Sequence, residues 1–260
     1  MMSYVIQTGK DDLLVIDGGT EDDADYLRDF LLQRGGKVEA WILTHPHIDH
    51  GGALSVILGE PEAIRINRIY ASMPEEEWVK KHEAYRMEDF KKIRSALDAT
   101  QVEIMEPEPG QRVNIGGLVF DFLGVKNPEI TGNAINNSSM VFRVRGAGES
   151  VLFLGDIGVQ AGKKILSGPY AEWVKADWVQ MSHHGQNGAD RAFYEAVDAE
   201  GCFWPTPGWL WDNDNGGGKG SGPWKTLEVR QWMEDLGVQQ HLVAKDGLAK
   251  VDFGACVKAE

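Results

Sequence analysis

The sequence predicts an α/β fold, and three observations predict it. The first third alternates short apolar runs with amphipathic stretches, the middle third strings short apolar segments between glycine turns, and the last third returns to mixed texture. Apolar runs of about four to eight residues bounded by turn residues read as buried strands, and apolar positions at helical spacing read as helices.

In chain order, Leu13-Leu14-Val15-Ile16 is a buried strand that ends in the turn Asp17-Gly18-Gly19-Thr20. Residues Asp22 to Arg34 place Ala24, Leu27, Phe30 and Leu31 near helical spacing, and Gly35-Gly36 stops that helix. Val38 to Leu43 is a second buried strand, and the run His45 to His50 follows it directly, so those side chains sit at a strand's carboxyl end. Gly51 to Leu58 reads as the next helix. Between Pro74 and Asp98, Trp78, Tyr85, Phe90, Ile93 and Leu97 are the apolar positions of a charged stretch that predicts one long helix, or two, covering a sheet. From Val102 the texture is strand-like: Gln111 to Val113, Leu118 to Leu123, Met140 to Val144, Val151 to Leu154, Asp177 to Met181, and a closing Lys250 to Phe253. Ile115-Gly116-Gly117 and Gly146-Ala147-Gly148 are hairpin connections. Asp212 to Gly222, rich in Gly and Asn, reads as a mobile loop and not a boundary. With no internal repeat and no linker, residues 1–260 are expected to form a single domain.

A formal net charge of −14 disfavours a nucleic-acid backbone or an anionic membrane as a tight, non-specific partner. The two cysteines, Cys202 and Cys256, have no zinc-ribbon or disulfide spacing. No stretch reaches the roughly 18 apolar residues of a membrane span, and the first residues lack a basic, then apolar, leader. A soluble, cytoplasmic protein that does not bind membranes is expected; the oligomeric state is open.

Thr44-His45-Pro46-His47-Ile48-Asp49-His50-Gly51-Gly52 carries the chemistry. Neutral imidazole nitrogen and anionic carboxylate oxygen are the donors that bind borderline divalent ions. His45 and His47, two apart, share one side of an extended turn. Asp49 and His50 follow so closely that two adjacent ions accommodate all four donors more easily than one. A surface loop rich in histidine by chance is the plainer alternative, but three of the chain's seven histidines fall within six positions.

The pattern His45-x-His47-x-Asp49-His50 after an apolar strand resembles the signature of the metallo-β-lactamase-fold hydrolase superfamily. The resemblance implies a four-layer αββα sandwich with a metal pair at one edge of its two packed sheets. It also implies roles in order along the chain. Asp17 resembles a buried carboxylate that orients a histidine ligand. Asp156, in Phe153-Leu154-Gly155-Asp156, resembles an aspartate bridging two metals, and Ser182-His183-His184-Gly185 resembles the later histidine motif. His45 and His47 would then hold one metal, Asp49, His50 and His184 the other, with Asp156 between them. His183 becomes a proton donor or oxyanion stabiliser, or else a histidine bonded to backbone, and Asp49 a catalytic carboxylate alongside it. The family pattern has a further histidine before the bridging aspartate. Here that interval contains only His82, read as a surface residue, so water or a polar group from Asn136 to Ser139 would complete the first site.

Asn136-Asn137-Ser138-Ser139-Met140-Val141 followed by Leu154-Gly155-Asp156 and His183-His184-Gly185 is similar to the lineage of the ComEC hydrolase domain and phosphorylcholine esterase. The late Asn…Gly-His-Pro of ComEC-type sequences is absent: Asn215 and Ser221-Gly222-Pro223 stand there with no histidine. The implied function is a metallo-hydrolase that uses water activated by two divalent ions, zinc first, with manganese or iron as alternatives. Its expected substrate is a small-molecule or polymer phosphoester or phosphodiester. The alternatives are an acyl or lactone hydrolase on the same metals, and a catalytically weak metal-binding module. Phe203-Trp204-Pro205-Thr206-Pro207-Gly208-Trp209-Leu210-Trp211, with Trp224, reads either as an aromatic wall for substrate, choline included, or as a hydrophobic cap. Glu21-Asp22-Asp23 and Glu75-Glu76-Glu77 read as helix starts, where negative charge suits the dipole, and His241 reads as a strand-end residue.

Overall fold

A computed structural model describes residues 2–9 and 12–252. Why the early strands are apolar on both faces becomes plain from what they separate. In the strand Leu13–Asp17, Leu13 and Val15 face one core while Leu14 and Ile16 face another. Side chains alternate across a strand, so an unbroken apolar run supplies two layers at once.

The first sheet contains β1 (Ser3–Gln7), β2 (Leu13–Asp17), β3 (Lys37–Leu43), β4 (Arg65–Ile66), β5 (Arg68–Ala71) and β6 (Glu103–Met105). Its order is β1-β2-β3-β5-β6, with β4 also beside β3; β1 and β2 are antiparallel and the remaining pairs parallel. The second sheet contains β7 (Arg112–Ile115), β8 (Leu118–Gly124), β9 (Val141–Arg145), β10 (Ser150–Phe153), β11 (Trp178–Gln180), β12 (Gly201–Trp204) and β13 (Gln240–Val243). It runs in that order reversed, antiparallel from β7 to β10 and parallel from β10 to β13.

Helices α1 (Ala24–Leu32), α2 (Ile48–Gly59), α3 (Glu76–His82) and α4 (Met87–Ala99) belong to the first half of the chain. Helices α5 (Val159–Leu166), α6 (Arg191–Val197), α7 (Gly208–Trp211) and α8 (Thr226–Asp235) belong to the second. Leu27, Leu31, Leu54, Ile57, Ile93 and Leu97 of α1, α2 and α4 pack on Trp41 and Leu43 of β3. Ile165, Phe193, Val197, Val229 and Met233 of α5, α6 and α8 pack on Leu152 and Val179 of the second sheet. Between the sheets lie Ile16, Ile42 and Tyr70 from one side and Phe120, Phe142 and Phe153 from the other. Phe142 stacks on Phe153 at 5.4 Å and on Phe120 at 5.9 Å. Three cores separate four layers, and the architecture is the αββα sandwich expected.

The expected strands and hairpins are present to within a residue or two, the closing Lys250 to Phe253 strand excepted. The stretch from Pro74 to Asp98 is two helices, because the chain breaks at a 3₁₀ turn, Ala84–Arg86. Both acidic runs open helical turns, the first at Glu21–Asp23, where Thr20 donates N–H and hydroxyl to Asp23 Oδ2, both at 2.8 Å. Asp212 to Gly222, expected as a mobile loop, is tied internally. Asp214 Oδ1 accepts the N–H groups of Gly216 and Gly218, and Asn213 Nδ2 donates to the Gly222 carbonyl. Residues 250–252 of the expected closing strand are irregular, while Phe253 and Cys256 lie outside the described residues. Cys202 is a free thiol within the core, and no helix among the described residues is long and apolar enough to cross a membrane.

Candidate metal centre

The carboxyl ends of β2, β3, β10 and β11 meet at one edge of the sandwich. Asp17 ends β2; Thr44 and His45 follow β3; Asp156 follows β10; Ser182–Gly185 follows β11. The sheets are joined there, since Met140 N–H donates to the Thr44 carbonyl at 2.8 Å, and within the second sheet His183 N–H donates to the Gly155 carbonyl at 3.1 Å. Expected as part of a loop, Asp49 and His50 instead lie in the first turn of α2, which begins at Ile48.

Asp17 is fully buried and adopts a positive φ of 54°. Its Oδ1 accepts Thr44 N–H at 2.7 Å, and its Oδ2 accepts the Thr44 hydroxyl at 2.7 Å and His50 Nδ1 at 2.7 Å. That contact fixes the His50 tautomer and leaves Nε2 pointing elsewhere. His184 is held by the same logic: Nδ1–H donates to the Pro205 carbonyl at 2.9 Å, and Thr206 Oγ1 donates to the His184 carbonyl at 2.6 Å. His183, His184 and Gly185 are successive left-handed residues, φ 52°, 57° and 76°. Such backbone costs of order 1 kcal/mol per non-glycine residue and persists only where surroundings impose it. A Cβ at Gly185 would lie 2.4 Å from Trp204, so glycine is required there on both counts.

Two triads result. One ligand atom each from His45, His47 and Asp156 lie within 4.8 Å of one another, and so do atoms from Asp49, His50 and His184. Asp156 Oδ2 stands between them, 3.8 Å from His45 Nε2, 3.3 Å from His50 Nε2 and 3.4 Å from His184 Nε2. His184 Nε2 is also 3.1 Å from Asp49 Oδ2. Yet His47 Nε2, His50 Nε2, His184 Nε2 and Asp156 Oδ1 are buried with no hydrogen-bond partner. Buried polar atoms without partners cost free energy, and four converging on one place fit a cation as the missing partner. The six residues therefore suit divalent metal: three or four donors per site, nitrogen and carboxylate oxygen, with the His50 and His184 imidazole orientations already fixed.

The electrostatics agree. Burial lowers His45, and burial also brings His47 down to about 4, with Asp156 and Asp49 opposing and His50 and Arg86 adding to the shift. At His50 burial is outweighed by Asp156 and Asp17, which raise its pKa well above the usual value; at His184 burial is outweighed by Asp156 and Asp49, and the pKa is raised. Burial would raise the carboxyls of Asp49 and Asp156, but the neighbouring histidines hold both below the usual range. A compact knot of opposed charges stands where positive charge is wanted.

A cavity of about 190 Å³ opens on this knot. His183 lines it, with Nδ1 3.4 Å from the Asn187 carbonyl and Nε2 3.2 Å from Asn136 Nδ2. Burial lowers its pKa, so the ring is neutral at pH 7. Trp209, 52% exposed, also lines the cavity and meets Trp224 edge-on at 4.9 Å. The tryptophan tract thus divides, for Trp204 is buried in the core as a cap would be. His82 belongs to neither triad and is half-buried against Trp78 at 5.2 Å. His241 is the second residue of β13, stacked on Trp204.

Sequence reasoning missed Arg86 and Gln186 in the cavity wall. Gln186 adjoins a motif already singled out. Arg86 lies in the break between α3 and α4, which no glycine or proline marks in the sequence.

The comparison with curated proteins returns no match. In structure the chain is similar to the metallo-beta-lactamase fold protein YhfI from Bacillus subtilis, with 15% identity over 95% of this chain and 90% of that one and a TM-score of 0.58. A diphosphatase of the PhnP family follows at TM-score 0.45 and 16% identity, covering 77% of this chain and 71% of its own. A metallo-beta-lactamase from Cronobacter sakazakii stands at 0.39 and 18%, covering 59% and 57%. At these identities the likeness concerns the fold alone. The family model of the metallo-beta-lactamase superfamily matches residues 2–199, a span that contains every residue of both triads, and the chain belongs to that superfamily.

Proposed function

We propose that the protein is a metal-dependent hydrolase of phosphoesters or phosphodiesters. One observation carries the reading: two facing triads of histidine and aspartate, four of whose buried polar atoms lack partners. His45 and His47 would hold one divalent ion and Asp49, His50 and His184 a second, with Asp156 shared. The nitrogen-rich donor set suits zinc first, with manganese or iron as alternatives. Ions so held lower the pKa of water and stabilise charge developing on a phosphoryl oxygen.

The chain's own groups supply the rest. Asp17 and the Pro205 carbonyl keep His50 and His184 in the tautomers that present Nε2. Asp49 opens on the cavity and orients the attacking water. His183, neutral and turned by the Asn187 carbonyl, accepts a proton at Nε2 once the Asn136 amide gives up its contact there, and returns it to the leaving oxygen. Asn136, Gln186 and Arg86 bring N–H donors to the cavity wall, which suits the several oxygens of a phosphoryl group. The Asn136 to Val141, Gly155-Asp156 and His183 to Gly185 pattern, similar to the ComEC and phosphorylcholine esterase lineage, supports the same bond class.

A panel of chromogenic substrates tests this. Turnover of bis-(4-nitrophenyl) phosphate, with none of nitrocefin or a thioester, is the expected result. Chelation should abolish it, and His47→Ala should lower it roughly a hundredfold or more. Hydrolysis of the acyl substrates alone would favour the acyl alternative. No turnover of any, with no gain from added Zn²⁺ or Mn²⁺, would leave only the binding module.

A further inference from the structure

The break between α3 and α4 reaches the cavity at the candidate metal centre. Arg86, the last residue of that turn, lines it beside His47 and Asp49 and is the one Lys or Arg among the described residues that do. In a chain of net charge −14, beside a site containing Asp49 and Asp156, an arginine would ordinarily be closely paired with a carboxylate. Arg86 is not. Its Nε is buried with no hydrogen-bond partner. The carboxylate in its salt bridge, Asp89, is one helical turn on at 3.8 Å, too far for a hydrogen bond. Cζ lies 5.5 Å from the centroid of the Tyr85 ring. The Arg86 side chain is 43% exposed overall, with only its Nε buried and unpartnered.

The turn is also anchored, and to the site itself. Glu83 is a buried carboxylate, 3% exposed. Its Oε2 accepts the backbone N–H of Ile135, its Oε1 the Tyr85 hydroxyl at 2.9 Å, and its main-chain carbonyl the N–H of Arg86 at 2.9 Å. Ile135 precedes Asn136, which lines the same cavity and whose Nδ2 meets Asn133 Oδ1 at 3.1 Å and His183 Nε2 at 3.2 Å. One buried carboxylate thus joins the Arg86 turn to the Asn136 segment, and burying a charge in this way is costly unless it is well hydrogen-bonded.

We propose that Arg86 is the anion-binding residue of this cavity, pairing with non-bridging phosphoryl oxygens of the substrate, and that Glu83 is the residue that positions it. The proposal deepens the phosphoester reading and rests on it. A planar guanidinium with several N–H donors matches phosphate oxygens better than any other side chain does. It also sets specificity: an anionic group beside the scissile bond is favoured over a neutral ester, and a quaternary ammonium such as choline meets like charge there.

The test is calorimetric binding of inorganic phosphate to the metal-loaded protein, with Arg86→Gln, Arg86→Lys and Glu83→Gln. Arg86→Gln should weaken binding about tenfold or more with bound metal unchanged, and Arg86→Lys should weaken it less. The ratio of kcat/KM for bis-(4-nitrophenyl) phosphate over 4-nitrophenyl acetate should fall in the same order. Glu83→Gln should weaken phosphate binding in the wild-type background and add little to Arg86→Gln, because it acts through that side chain. Equal phosphate affinity in wild type and Arg86→Gln would overturn the proposal. So would a Glu83→Gln effect of full size in the Arg86→Gln background, for the positioning role. Binding that depends on Arg86 in a protein that cleaves only acyl esters would overturn the phosphoester reading while sparing the anion site.

Discussion

Asp17 shows how a single side chain sets the geometry of the site without touching the cavity. Its two oxygens take a backbone N–H, a hydroxyl and an imidazole N–H, and the imidazole is that of His50, which is thereby turned to present Nε2. Asp17→Asn retains a residue tolerant of the positive φ but replaces one acceptor oxygen by a donor. Metal affinity, measured by competition with a chromogenic chelator, should fall about 10- to 100-fold while the fold persists. Four of the candidate donors were legible together in the sequence because their spacing is local: His45, His47, Asp49 and His50 lie within one turn and its helix. The Pro205 carbonyl on His184 and the Asn136 amide on His183 were not legible, since the first spans 21 residues and the second 47. Only the tertiary fold brings those partners together.

At the scale of elements, the site depends on how closely α2 approaches the turn before α1. A Cβ at Gly52 would lie 2.6 Å from the Glu21 backbone nitrogen, so the helix that carries Asp49 and His50 can sit where it does only with glycine there. Gly52→Ala should lower stability by about 2–3 kcal/mol, read by denaturant unfolding, and should weaken metal binding by displacing the first turn of α2. The strands were readable because β2, β3, β8 and β10 are apolar on alternate or both faces. The two helices between β5 and β6 were readable only as amphipathic texture. Their break at Ala84–Arg86 has no glycine or proline to announce it; Glu83, by bonding the Ile135 N–H, ends α3 through a tertiary contact. The helix start at Ile48 was obscured in the same way, since the histidine cluster runs through it.

The whole molecule is two sheets sharing one aromatic core, with the outer face of the second sheet held by a charged knot. Asp121 on β8 is fully buried and is bonded by Arg112, by Arg143 at 2.9 Å and by Arg145 at 2.8 Å. Burial alone would raise its pKa, but the three guanidinium groups lower it below the ordinary value. The stability it contributes is therefore present above its unfolded pKa of about 4 and is lost as pH falls through the lower folded value. Asp121→Asn should destabilise the fold by about 2–3 kcal/mol at pH 7, and its deficit against wild type should shrink as pH falls below about 4. Thermal unfolding of both proteins across that range reads this directly.

The sandwich brings four strand ends together, and the proposed function requires that two metal sites there share Asp156. Bound metal per chain, measured by plasma mass spectrometry after loading with Zn²⁺ or Mn²⁺ and exhaustive dialysis, tests that claim most directly. Two ions per chain in wild type, falling to about one in Asp49→Ala, is the predicted result. Fewer than one ion per wild-type chain would contradict it.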